Sequence, residues 1–273
     1  MYDELDNLRL DFKEYLNKYK SETTAKTYEY DVRCFIDYLE DNHLSYNHDS
    51  VQSYLNNCTS RGLAASTVNK IYRALRSFAV FTNTESAVDK IRVVKMADYR
   101  NQAPKALRRL ERIRLTEKAK KDSIRNFAIT ITLLNTGVRV SELVSIDRDD
   151  LIIVEDEGEV RIRQGKGNKE RTIPLNKETR DIIAAYLDTR EDSEPALFLG
   201  SKGRLGVRGV QYILKKYGIH PHQLRHTFIT DLVRKYDLIL VQFLSGHSST
   251  DILARYSKPS KEDLQSAVEQ VYS

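Results

Sequence analysis

His220-Pro221-His222-Gln223-Leu224-Arg225-His226-Thr227, a helix-like run to Leu244-Ser245-Gly246-His247, and then Tyr256 form the stretch around which the chain is organised. Pro221 suits the first turn of a helix, where a missing N–H leaves no bond unmade. His222 and Arg225, three apart, are neighbours on one face of that helix. Leu224, Phe228 and Leu232 recur every four residues and form a separate apolar stripe for docking on a core. His222 also falls in the first turn, where unpaired N–H groups and the helix dipole favour an anion. Cations at a helix start with a tyrosine nearby point to phosphate chemistry with a tyrosine nucleophile. Taken singly, each feature has a plainer reading: a solvated helix face, a Gly-His turn, one of sixteen tyrosines.

A second group of signals lies upstream. Ile124 to Leu134 predicts a buried helix, Thr136-Gly137 closes it, and Val138-Arg139-Val140-Ser141-Glu142-Leu143 begins a new element. Short apolar or alternating runs predict strands over Leu151–Val154, Val160–Arg163 and Arg171–Leu175. The connection Gln164-Gly165-Lys166-Gly167-Asn168-Lys169 joins the last two, and its two glycines mark a hairpin. Asn176 can cap the next helix. Leu197-Phe198-Leu199 precedes a Gly-rich loop carrying Lys202, Arg204 and Arg208, and Ser260 can cap a final helix with Leu264, Ala267, Val268 and Val271.

The first hundred residues look all-helical. Leu5, Leu8, Phe12, Tyr15, Leu16 and Tyr19 follow helical spacing, as do Tyr28, Val32, Phe35, Ile36 and Leu39. Asp49 or Ser50 can cap a third helix and Ser66 a fourth. Lys70, Arg73 and Arg76 give the fourth a basic face that can grip phosphates or remain solvated. Weak periodicity and Pro104 mark a basic linker over 91–108. The predicted architecture is mainly α with a small β-sheet, in two domains. A helical domain covers 1–90 and a mixed α/β domain covers 109–273.

The chain has 273 residues, 40% hydrophobic and 30% charged, with a net charge of +5. Asn101 to Lys121 alone holds eight Lys or Arg against two Asp or Glu. That concentration predicts an anionic partner passing there, with Lys105, Arg108, Arg109, Arg112 and Arg114 on its phosphates, unless the segment is a solvated helix face. Cys34 and Cys58 have no metal-ligand spacing and no disulfide framework. The acidic start Met1-Tyr2-Asp3-Glu4 lacks the apolar core of a signal peptide, so a cytoplasmic protein away from membranes is expected. No Walker loop or acidic metal cluster is present, which argues against a kinase or a metallophosphatase.

Taken in order, Thr136 to Leu143, Gly165-Lys166-Gly167, His222-x-x-Arg225-His226, Gly246-His247 and Tyr256 resemble the tyrosine recombinase (phage integrase) family, along the whole chain. The resemblance implies an N-terminal SAM-like core-binding domain, a catalytic domain and a nucleophile near the end. Its compact length matches Xer-like and transposon-resolvase members. Arg139 and Arg225 would fork onto the non-bridging oxygens of a phosphorane, which a lysine cannot do. Lys166 would protonate the leaving 5′ oxygen, and His222 would move protons around the nucleophile. His247 would hydrogen-bond the phosphate, and Glu142 would support the arginine or a histidine. His226 is assigned packing or support, and Lys169, Lys202 and Arg204 DNA contact. Tyr256 would attack phosphorus. With a free tyrosine pKa of about 10, reaching the phenolate at neutral pH costs on the order of 4 kcal/mol unless a base or cations help.

The reaction so implied keeps the phosphoester energy in a 3′-phosphotyrosine and calls for no cofactor, metal or ATP. The family further implies four protomers on two double-stranded DNA sites, a Holliday junction, a monomer or weak oligomer off DNA, and in some systems an accessory protein. The final helix, Lys261 to Tyr272, would dock on a neighbouring protomer or pack on its own domain. Two rival readings are a type IB topoisomerase, which shares the chemistry without strand exchange, and a DNA-binding module without catalysis.

Overall fold

The helical spacing of the first hundred residues is realised as α1 (Tyr2–Tyr19), α2 (Glu22–Asp41), α3 (His48–Ser60) and α4 (Ala65–Phe81). They belong to the first of two units, Met1–Asp98. A computed structural model of the chain describes residues 2–95, 105–163, 170–247, 249–258 and 268–269. Phe12, Phe35 and Phe78 are fully buried where α1, α2 and α4 meet, with the Phe12 and Phe78 rings edge-on at 5.3 Å. Burying each such side chain contributes on the order of 2 kcal/mol. Two caps differ from expectation. Asn47, not Asp49 or Ser50, caps α3, accepting from the Ser50 N–H while the Ser50 hydroxyl accepts from the Asn47 N–H. The fourth helix starts at Ala65, so Ser66 lies inside its first turn. Of the segment 91–108, Ile91 and Val93 pack in this first core.

Leu107, by contrast, is buried in the core of the second unit, Tyr99–Ser273, where its N–H donates to Thr227 Oγ1. α5 (Arg109–Asp122) follows, a polar helix that buries only Leu115 and Ala119. α6 (Ile124–Thr136) is apolar around most of its surface and forms the middle of the core. Gly137 ends it with φ +61, and a Cβ there would meet the Phe228 ring at 2.2 Å, so both backbone and packing require glycine. α7 (Val140–Ser145) is a short helix.

The sheet runs β1 (Leu151–Val154), β2 (Glu157–Ile162), β3 (Arg171–Pro174), antiparallel in that order. Val160 sits opposite both Leu151 and Ile173, and it buries with Ile162 and Ile173 on the core face. After α8 (Lys177–Leu187), capped by Asn176, the expected Gly-rich loop closes as a two-residue hairpin of β4 (Leu199–Gly200) and β5 (Gly203–Arg204). Helices α9 (Val207–Lys216), α10 (Pro221–Val233), α11 (Leu238–Ser245) and α12 (Thr250–Ala254) complete the unit. Ile229, Val241, Leu253 and Tyr256 form a small apolar cluster under α10 to α12. The turn Gln164–Lys169, with Lys166 and Lys169, lies outside the described residues. So does the predicted terminal helix, apart from helical Val268 and Glu269. No helix among the described residues is long and apolar enough to cross a membrane.

Candidate active site

Two glycine-closed helix ends face the start of α10. Gly137 turns the chain out of α6, and Gly246, with φ +65, turns it out of α11. Each turn leaves carbonyl oxygens without helical partners, a negative end for the helix dipole. Arg225, one turn into α10 and only 5% exposed, bridges the two. Its Nη1 donates to Gly137 O at 2.6 Å and its Nη2 to Ser245 O at 2.7 Å. Arg139, just before α7, donates from Nη2 to Gly246 O at 3.2 Å and from Nη1 to Glu142 Oε1 at 2.7 Å. The Arg139 backbone N–H donates to Glu142 Oε2 at 2.7 Å, the reach-back that a glutamate at this spacing makes at a helix start.

A third arginine, which no motif signalled, completes the group. Arg171, at the start of β3, donates to Glu142 Oε1 at 3.1 Å and Oε2 at 2.8 Å, and from Nε to Leu244 O at 3.4 Å. Leu244, Ser245 and Gly246 thus each give a carbonyl to a different guanidinium. Burial pushes the Glu142 carboxyl up, but its bonds from Arg171 and Arg139 outweigh that and hold it below the usual carboxylate range. Burial, with Arg139 beside it, brings Arg225 down to about 10, so it stays cationic at neutral pH. Three guanidiniums around one carboxylate leave an excess of positive charge suited to a phosphate.

The nucleophile side is built from α10 and α12. Tyr256 is buried, and its hydroxyl lies 2.8 Å from His226 Nδ1. Expected only to pack or support, His226 meets the predicted nucleophile directly, because the next position along α10, about 100° round from Arg225, faces Tyr256. Burial, with Arg255 next in effect, lowers His226 to about 4. Burial also raises the Tyr256 hydroxyl, against the pull of Arg255 and Arg225. With His226 neutral, its Nδ1 accepts from the Tyr256 hydroxyl in the tautomer that carries the ring proton on Nε2. His247 is likewise lowered to about 4 by burial and then by Arg225, and its Nδ1 is 2.7 Å from Ser245 Oγ. Its ring lies 6.3 Å from that of Tyr256. His222 is exposed, with its ring 6.4 Å from His226, and burial and the neighbouring His220 lower it.

Arg139, Glu142, His222, Arg225, His226, His247 and Tyr256 are therefore gathered in one place, joined by Arg171 and Ser245. The outlying basic residues behave differently. Arg73, Arg76, Lys105, Arg108, Arg109 and Lys202 are exposed. Lys70 is held 3.2 Å from the nearly buried Asp31. Arg204 is exposed too, but its guanidinium also donates to Val144 O, Ile146 O and Asp147, tying the β4–β5 hairpin to the end of α7. Arg112 is similarly engaged by Asp231.

Comparison with known proteins finds relatives for both units. The phage integrase family matches residues 102–263, and the phage integrase N-terminal SAM-like domain matches residues 10–86. Tyrosine recombinase XerA of Thermococcus kodakarensis is 32% identical over 271 residues, covering 95% of this chain and 93% of its own. Tyrosine recombinase XerD of Staphylococcus epidermidis is 30% identical over 282 residues, covering 92% and 95%. The fold is shared with the XerH site-specific recombinase bound to difH substrate (TM-score 0.69, 22% identity, 89% of this chain and 78% of that one). It is also shared with the Tn1549 transposon integrase in complex with transposon right end DNA (TM-score 0.71, 18% identity, 98% and 99%). The chain belongs to the phage integrase family and is a tyrosine-type site-specific recombinase.

Proposed function

We propose that this enzyme cuts and rejoins double-stranded DNA in the cytoplasm, with Tyr256 as nucleophile. The observation that carries the reading is the Tyr256 hydroxyl bonded to a neutral His226 beside two carbonyl-held arginines. In the forward step the Tyr256 oxygen bonds to phosphorus while its proton passes to His226 Nδ1. The bond to the 5′ oxygen breaks, leaving a 3′-phosphotyrosine. Lys166, by family resemblance, returns a proton to the 5′ oxygen. Arg139 and Arg225 have N–H groups left over after their carbonyl bonds, and these meet the non-bridging oxygens as charge develops. With Ser245 Oγ donating to His247 Nδ1, the remaining His247 proton sits on Nε2 and can reach the same phosphate. His222, at the exposed edge, exchanges protons with solvent. Glu142, saturated with N–H donors that hold it below the usual carboxylate range, positions the arginines as a carboxylate at neutral pH.

The reading extends to four protomers on two sites, two active at a time, passing through a Holliday junction, with an accessory protein where the element requires one. One fold neighbour, a lambda integrase dimer bound to a core site, has two protomers on one site, as this reading expects at each site. The test is a supercoiled plasmid carrying two copies of a site taken from DNA flanking the gene. It is incubated in EDTA with wild type or Tyr256→Phe, then digested with protease. Protein-linked 3′ ends and resolved circles with wild type alone are expected. Relaxation without recombinants would favour the topoisomerase-like reading, and tight binding without any linkage would favour a silent DNA-binding module.

A further inference from the structure

We propose that Arg171 is a positioning residue for cleavage: it fixes the orientation of Arg139 at the scissile phosphate by holding Glu142 and the Leu244–Gly246 turn together. The proposal rests on the recombinase reading above. Its basis is the sharing of one carboxylate. Glu142 Oε1 accepts from Arg139 Nη1 and Arg171 Nη1, and Oε2 from the Arg139 backbone N–H and Arg171 Nη2. A carboxylate offers about four lone-pair sites, so this one is full. Without Arg171, half of those bonds are lost, and Glu142 can swing with the Arg139 guanidinium attached. The third Arg171 donor, Nε, reaches Leu244 O in the same turn whose next two carbonyls hold Arg225 and Arg139.

Two further observations set this role apart from phosphate contact or general packing. The Arg171 side chain is only 11% exposed, and both faces of its fork are turned to protein. Its guanidinium also lies flat on Gly246, where a Cβ would come within 2.9 Å of Cζ, so the turn is shaped around it. Pairing of Arg171 with Ile162 in the β2–β3 ladder anchors its backbone. Lysine keeps the charge but cannot fork onto Glu142 while reaching Leu244.

The test uses cleavage rates for wild type, Arg171→Gln, Arg171→Lys and Arg139→Ala. The substrate is a synthetic duplex bearing a site recovered by the Tyr256→Phe protein from a random-sequence pool. Two versions are compared, one with the natural scissile phosphate and one with a neutral methylphosphonate there. On phosphate, both Arg171 variants should cleave about a hundredfold more slowly, the cost of a small misplacement of a reacting group. On methylphosphonate, which has lost the charge that Arg139 meets, the deficit should shrink to a few fold, in parallel with Arg139→Ala. DNA affinity should stay within a few fold throughout. Equal slowing on both substrates would overturn the proposal in favour of a merely structural role, and so would no slowing on phosphate. Arg171→Lys, with thermal unfolding measured alongside, keeps the test valid if Arg171→Gln folds poorly. No tyrosine-linked DNA from wild type on the phosphate duplex would instead overturn the recombinase reading, and this proposal with it.

Discussion

The basic face of α4 and the arginines around Glu142 are both cationic, and both look like phosphate ligands in the sequence, but the fold treats them in opposite ways. Arg73 and Arg76 stand in solvent on the first unit. Arg225 is 5% exposed and held by two carbonyls in the second. An exposed cation attracts DNA of any sequence and releases the salt cations condensed on the phosphates it meets. A buried cation has lost its water before the substrate arrives and cannot reorient toward the ground state, so its donors act where charge develops. The carbonyls ending α6 and α11, with Glu142, offset the cost of burying three guanidiniums so close together. The difference is one of preorganisation, and it predicts which substitutions affect rate and which affect affinity.

The largest effect is expected from Arg225→Lys. Charge is kept, but one ammonium cannot satisfy Gly137 O and Ser245 O and still fork onto phosphate. Single-turnover cleavage should fall about a thousandfold, the upper range for losing one preorganised donor site. The Kd for the same duplex should change only a few fold. Equal losses in rate and affinity would mean that Arg225 acts as the α4 cations do, and the contrast between the two regions would fail.

Acid should separate the regions next. In the second unit, burial leaves His226 and His247 with folded pKa values of about 4, below the ordinary 6.5. Groups with a depressed folded pKa contribute stability above their unfolded value and lose it as pH falls, here between pH 6.5 and 4. In the first unit, burial raises the Asp31 carboxyl despite its ion pair with Lys70. A raised folded pKa works the other way, and its contribution is present below the unfolded 3.8 and lost as pH rises. Hydrogen exchange followed region by region at pH 7 and pH 5 should show protection falling around α10 and α11 while α2 and α4 hold. Parallel loss in both units would place the pH sensitivity elsewhere.

Much of this was legible in the sequence because it depends on short spacings. Arg139 and Glu142, three apart, meet through the reach-back of a helix start, and Gly137 closes its helix where the sequence placed the end. The periodic apolar residues located the first core and most of its helices. What stayed hidden depends on long-range contact. Arg171 meets Glu142 across 29 residues and Leu244 across 73, and its place at the start of a predicted strand said nothing of either contact. His226 meets Tyr256 across 30 residues, a contact set by how α12 packs under α10. The carbonyls that hold the arginines belong to the backbone, so no residue type announces them. Arg204 shows the same limit: the sequence offers it as a DNA ligand but gives no sign of the three protein acceptors that its guanidinium also meets.

The smallest effect lies on the α4 face itself, and it tests whether exposure is what makes a cation a binding residue. Each phosphate neutralised adds roughly 0.9 to the slope of log affinity against log salt. Arg73→Gln with Arg76→Gln should therefore flatten the slope by about 2 if both sit on phosphates. Lys70→Gln should change it by less, because Lys70 is already paired with Asp31 at 3.2 Å and must exchange one anion for another. Arg204→Gln should leave it unchanged, since its guanidinium is committed to Asp147 and two carbonyls. The readout is binding of the Tyr256→Phe protein to one duplex over a salt series, which removes cleavage from the measurement. An unchanged slope for the Arg73 and Arg76 pair would make the α4 face a solvated surface. A shift from Arg204→Gln as large as that pair's would show that an exposed arginine engaged by protein acceptors can still be drawn onto DNA, and engagement would no longer separate the two kinds of cation.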